Sequence, residues 1–286
     1  MTMTEADAFS AYLQTGGKSQ NTLRGYVLDV NQYRRWFEES FGQECRALYR
    51  QNVLDYMSYL RNVRLANAKT INHKLSSLRS YNSFLIATGI QDDTVVLKTD
   101  MLKVQTVYAS PTNVTELEVK QFMQRMLESK DKRNYAIVAL LAYTGMRISE
   151  ALSIRLDDFN LQTGECIVRK GKGGKQRTVI MNTKTVSALR EYLKDRCQYG
   201  AAEASRFLFV SRESESLNRT VVNRVFQTHS DKITPHQLRH FFCTNAIEKG
   251  LSIHEVANQA GHSNINTTLL YTNPDKDKLK RKMELL

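Results

Sequence analysis

The chain has 286 residues, long for one domain, and 41% hydrophobic content can supply sizeable cores, which excludes global disorder. Of its formal charge of +12, residues 1–105 contribute +3 (13 basic, 10 acidic) and the remainder +9 (28 basic, 19 acidic), a balance that suits a polyanion grip but equally serves solubility or an acidic protein partner. No apolar run reaches the roughly 18–20 residues that cross a bilayer, MTMTEADAFS has no signal core, and Cys45, Cys166, Cys197 and Cys243 form no CxxC pair, so a cytoplasmic protein with free thiols is expected.

Residues 1–105 read as helical. In SQNTLRGYVLDVNQYRRWFEES, Ser19 or Asn21 can cap a helix on which Leu23, Val27, Val30, Tyr33 and Phe37 recur at helical spacing. NVLDYMSYLRNV and AKTINHKLSSLRSYNSFLIATG repeat the pattern, the latter closing at Gly89. A small bundle follows, with Arg24, Arg34, Arg35, Lys69, Lys74 and Arg79 on polar faces as a solvated surface or as phosphate contacts.

Periodicity weakens in KTDMLKVQTVYASPTN, which reads as an interdomain linker. Thr115-Glu-Leu-Glu118 is a capping box ahead of Val119, Phe122, Met123 and Met126. NYAIVALLAYTG is a second apolar helix, ending at Gly145 in a left-handed conformation. GECIVRKGKGGKQRTVIM then predicts two short strands around a glycine-rich turn, and helical patterning returns beyond it, interrupted by RFLFV. The expected fold class is mainly α with a small β-sheet: an N-terminal helical bundle followed by a mixed α+β domain.

Four stretches of the second part can carry chemistry. In TGMRISE, Arg147 and Glu150 are either a surface pair or a guanidinium turned into a cleft and held by its carboxylate, a fork matched to phosphate oxygens. GKGGK puts Lys172 on a strand-to-strand turn, which is no Walker loop. In TPHQLRH, Thr234 caps a helix with Pro235 in its first turn, and the helix end disfavours a charged His236. His236 and Arg239 either cap and pair at the surface or bind an oxyanion together. His236 and His240 share metal-ligand spacing, but the HExxH pattern starting at His254 fails at Asn258 and no third ligand is in sight. SIHEVANQAGHSNINTTLLYT, with caps at Ser252 and at Ser263 or Asn264, is also compatible with a helix-turn-helix that reads DNA without chemistry.

Together these motifs resemble the tyrosine recombinase (phage integrase) family over nearly the whole chain. TGMRISE is similar to the first arginine box, GKGGK to the hairpin lysine, HQLRH to the His-x-x-Arg box, AGH to the second histidine box and TTLLYT to the nucleophile segment. AGH stands where LGH is commoner and HFFCT where HTFAT is typical, neither at a catalytic position.

The resemblance implies a core-binding (SAM-like) domain over 1–105, a linker over 106–113 and a catalytic domain over 114–286, closing on DNA as a C-shaped clamp. It implies Tyr271 as nucleophile, Arg147 and Arg239 on the non-bridging oxygens, His236 as base, Lys172 as general acid, His262 as a phosphate ligand and Glu150 as support. Lys175 and Arg177 join the six basic residues of the first part as candidate DNA contacts. No cofactor is implied, metal or ATP. The expected partners are double-stranded DNA with inverted-repeat core sites and three further copies of the chain in a tetramer on two duplexes, with a partner recombinase or accessory proteins left open. Leu279, Met283 and Leu286, at helical spacing in the tail, either dock in a neighbour or form a frayed terminus. The compact start resembles the two-domain recombinases, such as chromosome-dimer or plasmid resolvers and transposon resolvases. The expected reaction is strand exchange through a 3′-phosphotyrosyl link and a Holliday junction, for integration, excision or resolution. A non-catalytic DNA-binding regulator and a type IB topoisomerase are the alternatives.

Overall fold

The computed structural model describes residues 5–104, 114–169, 176–262, 264–269 and 283–284. The chain divides into two compact units, Met1–Thr106 and Val107–Leu286.

In the first unit, helices α1 (Glu5–Thr15), α2 (Gln20–Phe41), α3 (Arg50–Asn62) and α4 (Ala68–Ala87) form a bundle. Ser19 is the cap of α2, accepting from the Thr22 amide, and Asn67 does the same for α4 through Thr70. The periodic positions Leu23, Val30, Tyr33 and Phe37 of α2 meet Leu75, Leu78 and Leu85 of α4 in one apolar core. A buried carboxylate crosses that seam. Asp29 accepts from Lys74 at 2.9 Å and from the Ser77 hydroxyl at 2.8 Å. Arg34 pairs with Glu5 at 2.7 Å. Lys74 and Arg34, two of the six basic side chains of this unit singled out in the sequence, are thus engaged inside the bundle, while Arg24, Arg35, Lys69 and Arg79 are exposed.

The second unit is built around α6 (Lys132–Thr144), whose residues 136–142 are almost wholly excluded from solvent. A helix apolar on every side must be covered on every side, and α6 packs against α5 (Glu116–Glu128), α8 (Thr183–Arg196) and α10 (Pro235–Glu248). The capping box at Thr115 is present, its hydroxyl and the Glu118 carboxylate satisfying each other's amides. Helix α9 (Arg219–His229) closes one side, with Phe226 5.2 Å from Phe122.

The sheet has three antiparallel strands in the order β1 (Phe159–Asn160), β2 (Glu165–Val168) and β3 (Arg177–Ile180), against the two expected. The extra strand is two residues long, too short to show an alternation in sequence, and is held by the turn through Gly164. Gly164 has φ 74°, and a Cβ there would lie 2.7 Å from the Met181 carbonyl. RFLFV is no helix: Leu208, Phe209 and Val210 are fully buried. The Arg196 guanidinium holds the run by donating to the carbonyls of Ala202, Ser205, Phe207 and Leu208.

Candidate active site

The site grows from three chain reversals. At the first, α6 ends at Gly145 with φ 67°, and Arg147 immediately becomes the extended N-cap of α7 (Ile148–Leu152). Glu150, the third residue of α7, accepts from the Arg147 amide at 2.9 Å and from its Nη1 at 2.9 Å. The same carboxylate accepts Arg177 Nη1 at 3.1 Å and Nη2 at 2.8 Å, so each oxygen takes two donors. Its side chain is only 3% exposed. Burial alone would raise its pKa, but the hydrogen bonds from Arg177 and the Arg147 backbone and both guanidinium charges outweigh it, holding it below the usual range.

At the second reversal, Thr234 caps α10 by accepting from the Gln237 amide, with Pro235 in the first turn. His236 and His240 follow one turn apart, their Nε2 atoms 2.6 Å apart. Burial, then the neighbouring His236 and Arg239, push the His240 pKa down to about 4. Arg239 is buried, its Nη1 donating to the carbonyls of Gly145 and Ala260 at 2.6 Å each.

The third reversal ends α11 (Ile253–Ala260), which Ser252 and Glu255 open with a capping box. Gly261 has φ 73°, and the amides of Gly261 and His262 return to the carbonyls of Asn258 and Ala257, a Schellman close. The last carbonyls of this helix lack intrahelical partners and form its negative end. Guanidiniums occupy them: Arg177 donates to Gln259 at 3.3 Å and Ala260 at 3.2 Å, Arg239 to Ala260, and Arg147 Nη2 to Gly261 at 3.1 Å. His262 leaves this turn with Nδ1 2.7 Å from the hydroxyl of the fully buried Thr268, on the short helix α12 (Asn266–Leu269). Burial, followed by Arg239, Arg147 and other cationic neighbours, lowers its pKa to about 4.

Arg147, His236, Arg239 and His262 line one cavity of about 800 Å³, together with His240 and, from α9, Arg219, Asn223 and Gln227. Arg147, Arg219 and Arg239 line it beside two neutral imidazoles, which makes the cavity cationic, and Arg147 and Arg239 are held by their carboxylate and carbonyl partners before any ligand arrives. Such a lining is complementary in charge to a tetrahedral oxyanion. The sequence thus foresaw four groups that the fold brings together, with Glu150 beneath them. Arg177, expected among DNA contacts, has its guanidinium against Glu150 and the end of α11. In the sequence His240 reads only as a metal-spaced partner of His236, and their four-residue spacing is the signal that places both on one face. Among the described residues no cluster of three His, Cys, Asp or Glu side chains sits at metal-binding distances, and no helix is long and apolar enough to cross a membrane. Lys172, Lys175, Tyr271, Leu279 and Leu286 lie outside the described residues, and Met283 is exposed.

Residues 112–278 match the phage integrase family, and residues 6–89 match the phage integrase N-terminal SAM-like domain. The chain is 63% identical to TnP I resolvase of Bacillus thuringiensis over 284 residues, covering 99% of this chain and 100% of that protein. It is 31% identical to tyrosine recombinase XerA of Pyrococcus furiosus over 286 residues, covering 97% and 92%. The crystal structure of XerA recombinase superposes at 26% identity with a TM-score of 0.53, covering 98% of this chain and 97% of that one. The fold is also that of XerH bound to palindromic difH substrate in a post-cleavage complex, at 20% identity and a TM-score of 0.73, covering 99% and 84%. The chain belongs to the tyrosine recombinase (phage integrase) family, whose members exchange DNA strands at specific sites through a phosphotyrosyl intermediate.

Proposed function

We propose that Tyr271 is the nucleophile and that the cationic cavity binds the scissile phosphate. The observation that carries this reading is the common cavity of Arg147, His236, Arg239 and His262. A tyrosine hydroxyl, with an ordinary pKa of about 10, is weakly nucleophilic near neutrality and needs a proton acceptor and positive charge beside its target. The Tyr271 oxygen attacks phosphorus, His236 takes its proton, and the bond to the 5′-oxygen breaks as Lys172 protonates the leaving group. The product is a 3′-phosphotyrosyl link that conserves the energy of the broken bond, and the 5′-hydroxyl of a second duplex reverses the step to exchange strands. Arg147 and Arg239 neutralise the charge that accumulates on the non-bridging oxygens. His262 stays neutral, so the tautomer whose Nδ1 accepts from Thr268 leaves Nε2–H to donate to the phosphate.

Residues 1–105 serve as a core-binding domain and 114–286 as the catalytic domain, joined by 106–113. Arg24, Arg35, Lys69 and Arg79, all exposed, are the phosphate contacts favoured in the first domain. Likeness to a protein named a resolvase favours resolution as the outcome, and a tetramer on two duplexes carrying inverted repeats would carry it out. A nicked duplex that traps the cleaved strand tests the chemistry. The wild-type chain forms a covalent protein–DNA adduct and Tyr271→Phe forms none while still binding the duplex; an adduct of undiminished yield in Tyr271→Phe overturns the assignment.

A further inference from the structure

We propose that Arg177 is a positioning residue for strand cleavage, a brace between strand β3, the carboxylate that holds Arg147 and the turn that presents His262. The inference rests on the assignment of Arg147 and His262 to the scissile phosphate given above.

Arg177 opens β3, the edge strand of the sheet, two positions after Lys175 in sequence. An exposed basic residue at the foot of a basic hairpin would ordinarily be assigned to DNA backbone. Here the guanidinium faces inward, with a side chain 14% exposed. Four of its five N–H groups meet acceptors on two other elements: both oxygens of Glu150 on α7, and the carbonyls of Gln259 and Ala260 on α11. The Gln259 side chain reinforces the junction, its amide spanning the Ile180 N–H at 3.1 Å and the Ile180 carbonyl at 2.7 Å on the same strand. An edge strand normally leaves such groups to solvent or to a partner strand. In this chain α11 takes that place.

Two consequences follow for the cavity. Glu150 faces charged groups from two elements, Arg147 at the start of α7 and Arg177 from β3. Arg177 supplies the fork that fills the lone pairs Arg147 leaves open, so the carboxylate stays ionised and Arg147 stays fixed by it. The Ala260 carbonyl also accepts from both Arg177 and Arg239, so Arg177 fixes the peptide on which the second arginine rests. A bidentate brace of this kind preorganises donors without touching the substrate.

The experiment compares wild type, Arg177→Ala and Arg177→Lys for single-turnover adduct formation on the nicked duplex from pH 5.5 to 9, and for DNA affinity across a salt series. Arg177→Ala is expected to slow cleavage about 100-fold near neutrality, the scale set by small misplacements of reacting groups. Its salt slope is expected to match wild type, because no phosphate contact is lost. Without Arg177, burial of Glu150 is opposed by Arg147 alone, so its pKa rises. The rate of the Ala variant then keeps climbing with pH over a range where wild type is level, and Glu150→Gln in the same background removes that climb. Arg177→Lys keeps a charge beside Glu150 but not the fork, so it restores the level pH profile while the rate stays reduced.

A salt slope lowered by about 0.9 with normal cleavage at saturating DNA makes Arg177 a phosphate contact and overturns the proposal. So does a slower rate with an unchanged pH profile and a lowered melting temperature, the signature of a role in folding alone. A wild-type chain that forms no adduct overturns the assignment of the site and this inference with it, whereas a wild-type adduct with an unaffected Arg177→Ala overturns the inference alone.

Discussion

The guanidinium carbon of Arg177 lies 2.5 Å from the position that a Cβ on residue 261 would occupy, so the glycine there serves the arginine as well as the turn. Gly261 also has φ 73°, a conformation costly for any residue with a side chain. Gly261→Ala therefore strains the turn and displaces Arg177 from Glu150 and Ala260. The expected result is a loss of about 1–3 kcal/mol in stability by denaturant titration, with adduct formation falling by at least tenfold. Arg177→Ala combined with Gly261→Ala should destabilise by less than the sum of the two, since the clash is gone.

Arg147→Lys and Arg239→Lys should each slow cleavage of the nicked duplex by roughly 100- to 1,000-fold with DNA affinity nearly kept, because an ammonium cannot present a planar fork to phosphate. Their stabilities should differ. Arg147 has a side chain 31% exposed, and its replacement should move the melting temperature little. Arg239 is 5% exposed and serves two carbonyls, so its replacement leaves buried acceptors short of a donor, at a cost of about 1–3 kcal/mol. Melting curves beside single-turnover rates check both halves.

Thr268→Val keeps the shape of the side chain and removes the hydroxyl 2.7 Å from His262 Nδ1. Losing one neutral hydrogen bond of about 1 kcal/mol frees the imidazole tautomer and orientation, so cleavage should slow by up to about tenfold. A Thr268→Ser variant, which keeps the hydroxyl, should retain most of the wild-type rate. Equal rates in the Val and Ser variants would show that the hydroxyl has no part in orienting His262.

His240 and His262 both have pKa values of about 4, depressed by burial and by cationic neighbours, against about 6.5 for the unfolded chain. Between those values the unfolded state binds more protons than the folded one, so stability rises with pH across that interval. The contribution is complete above about pH 6.5 and is lost as pH falls toward 4. The melting temperature should drop over that window, above the range where ordinary carboxylates titrate, and the drop should shrink in His240→Asn. A melting temperature level from pH 7 to 5 would contradict the neutral assignment of both imidazoles.

Much of the local structure was legible because its causes are local. The caps at Ser19, Thr115, Thr234 and Ser252, the left-handed Gly145 and the apolar stripe of α2 each depend on residues within a turn or two. The meeting of Arg147, His236, Arg239 and His262 was legible only from the order of motifs, since nothing within a seven-residue stretch announces a partner more than a hundred positions away. Arg34, Lys74 and Arg177 show the limit most clearly. A basic residue on a polar face looks the same whether its partner is a phosphate or a carboxylate 27, 29 or 45 residues off. Strand β1 escapes a sequence reading because two residues carry no period, and the apolar run at Leu208–Val210 shows in the sequence only as an interruption, because its backbone partners, Ile154, Leu217, Arg133 and Arg196, come from separate segments.

Two of the carbonyls that seat the arginines come late in the polypeptide. Arg147 reaches forward 114 positions to Gly261, and Arg239 reaches forward 21 to Ala260. While the chain is still on the ribosome, its N-terminal bundle can be complete long before α11 emerges. Until then Arg147 and Arg239 lack their seats on that turn, so a nascent or prematurely terminated product has no assembled cavity.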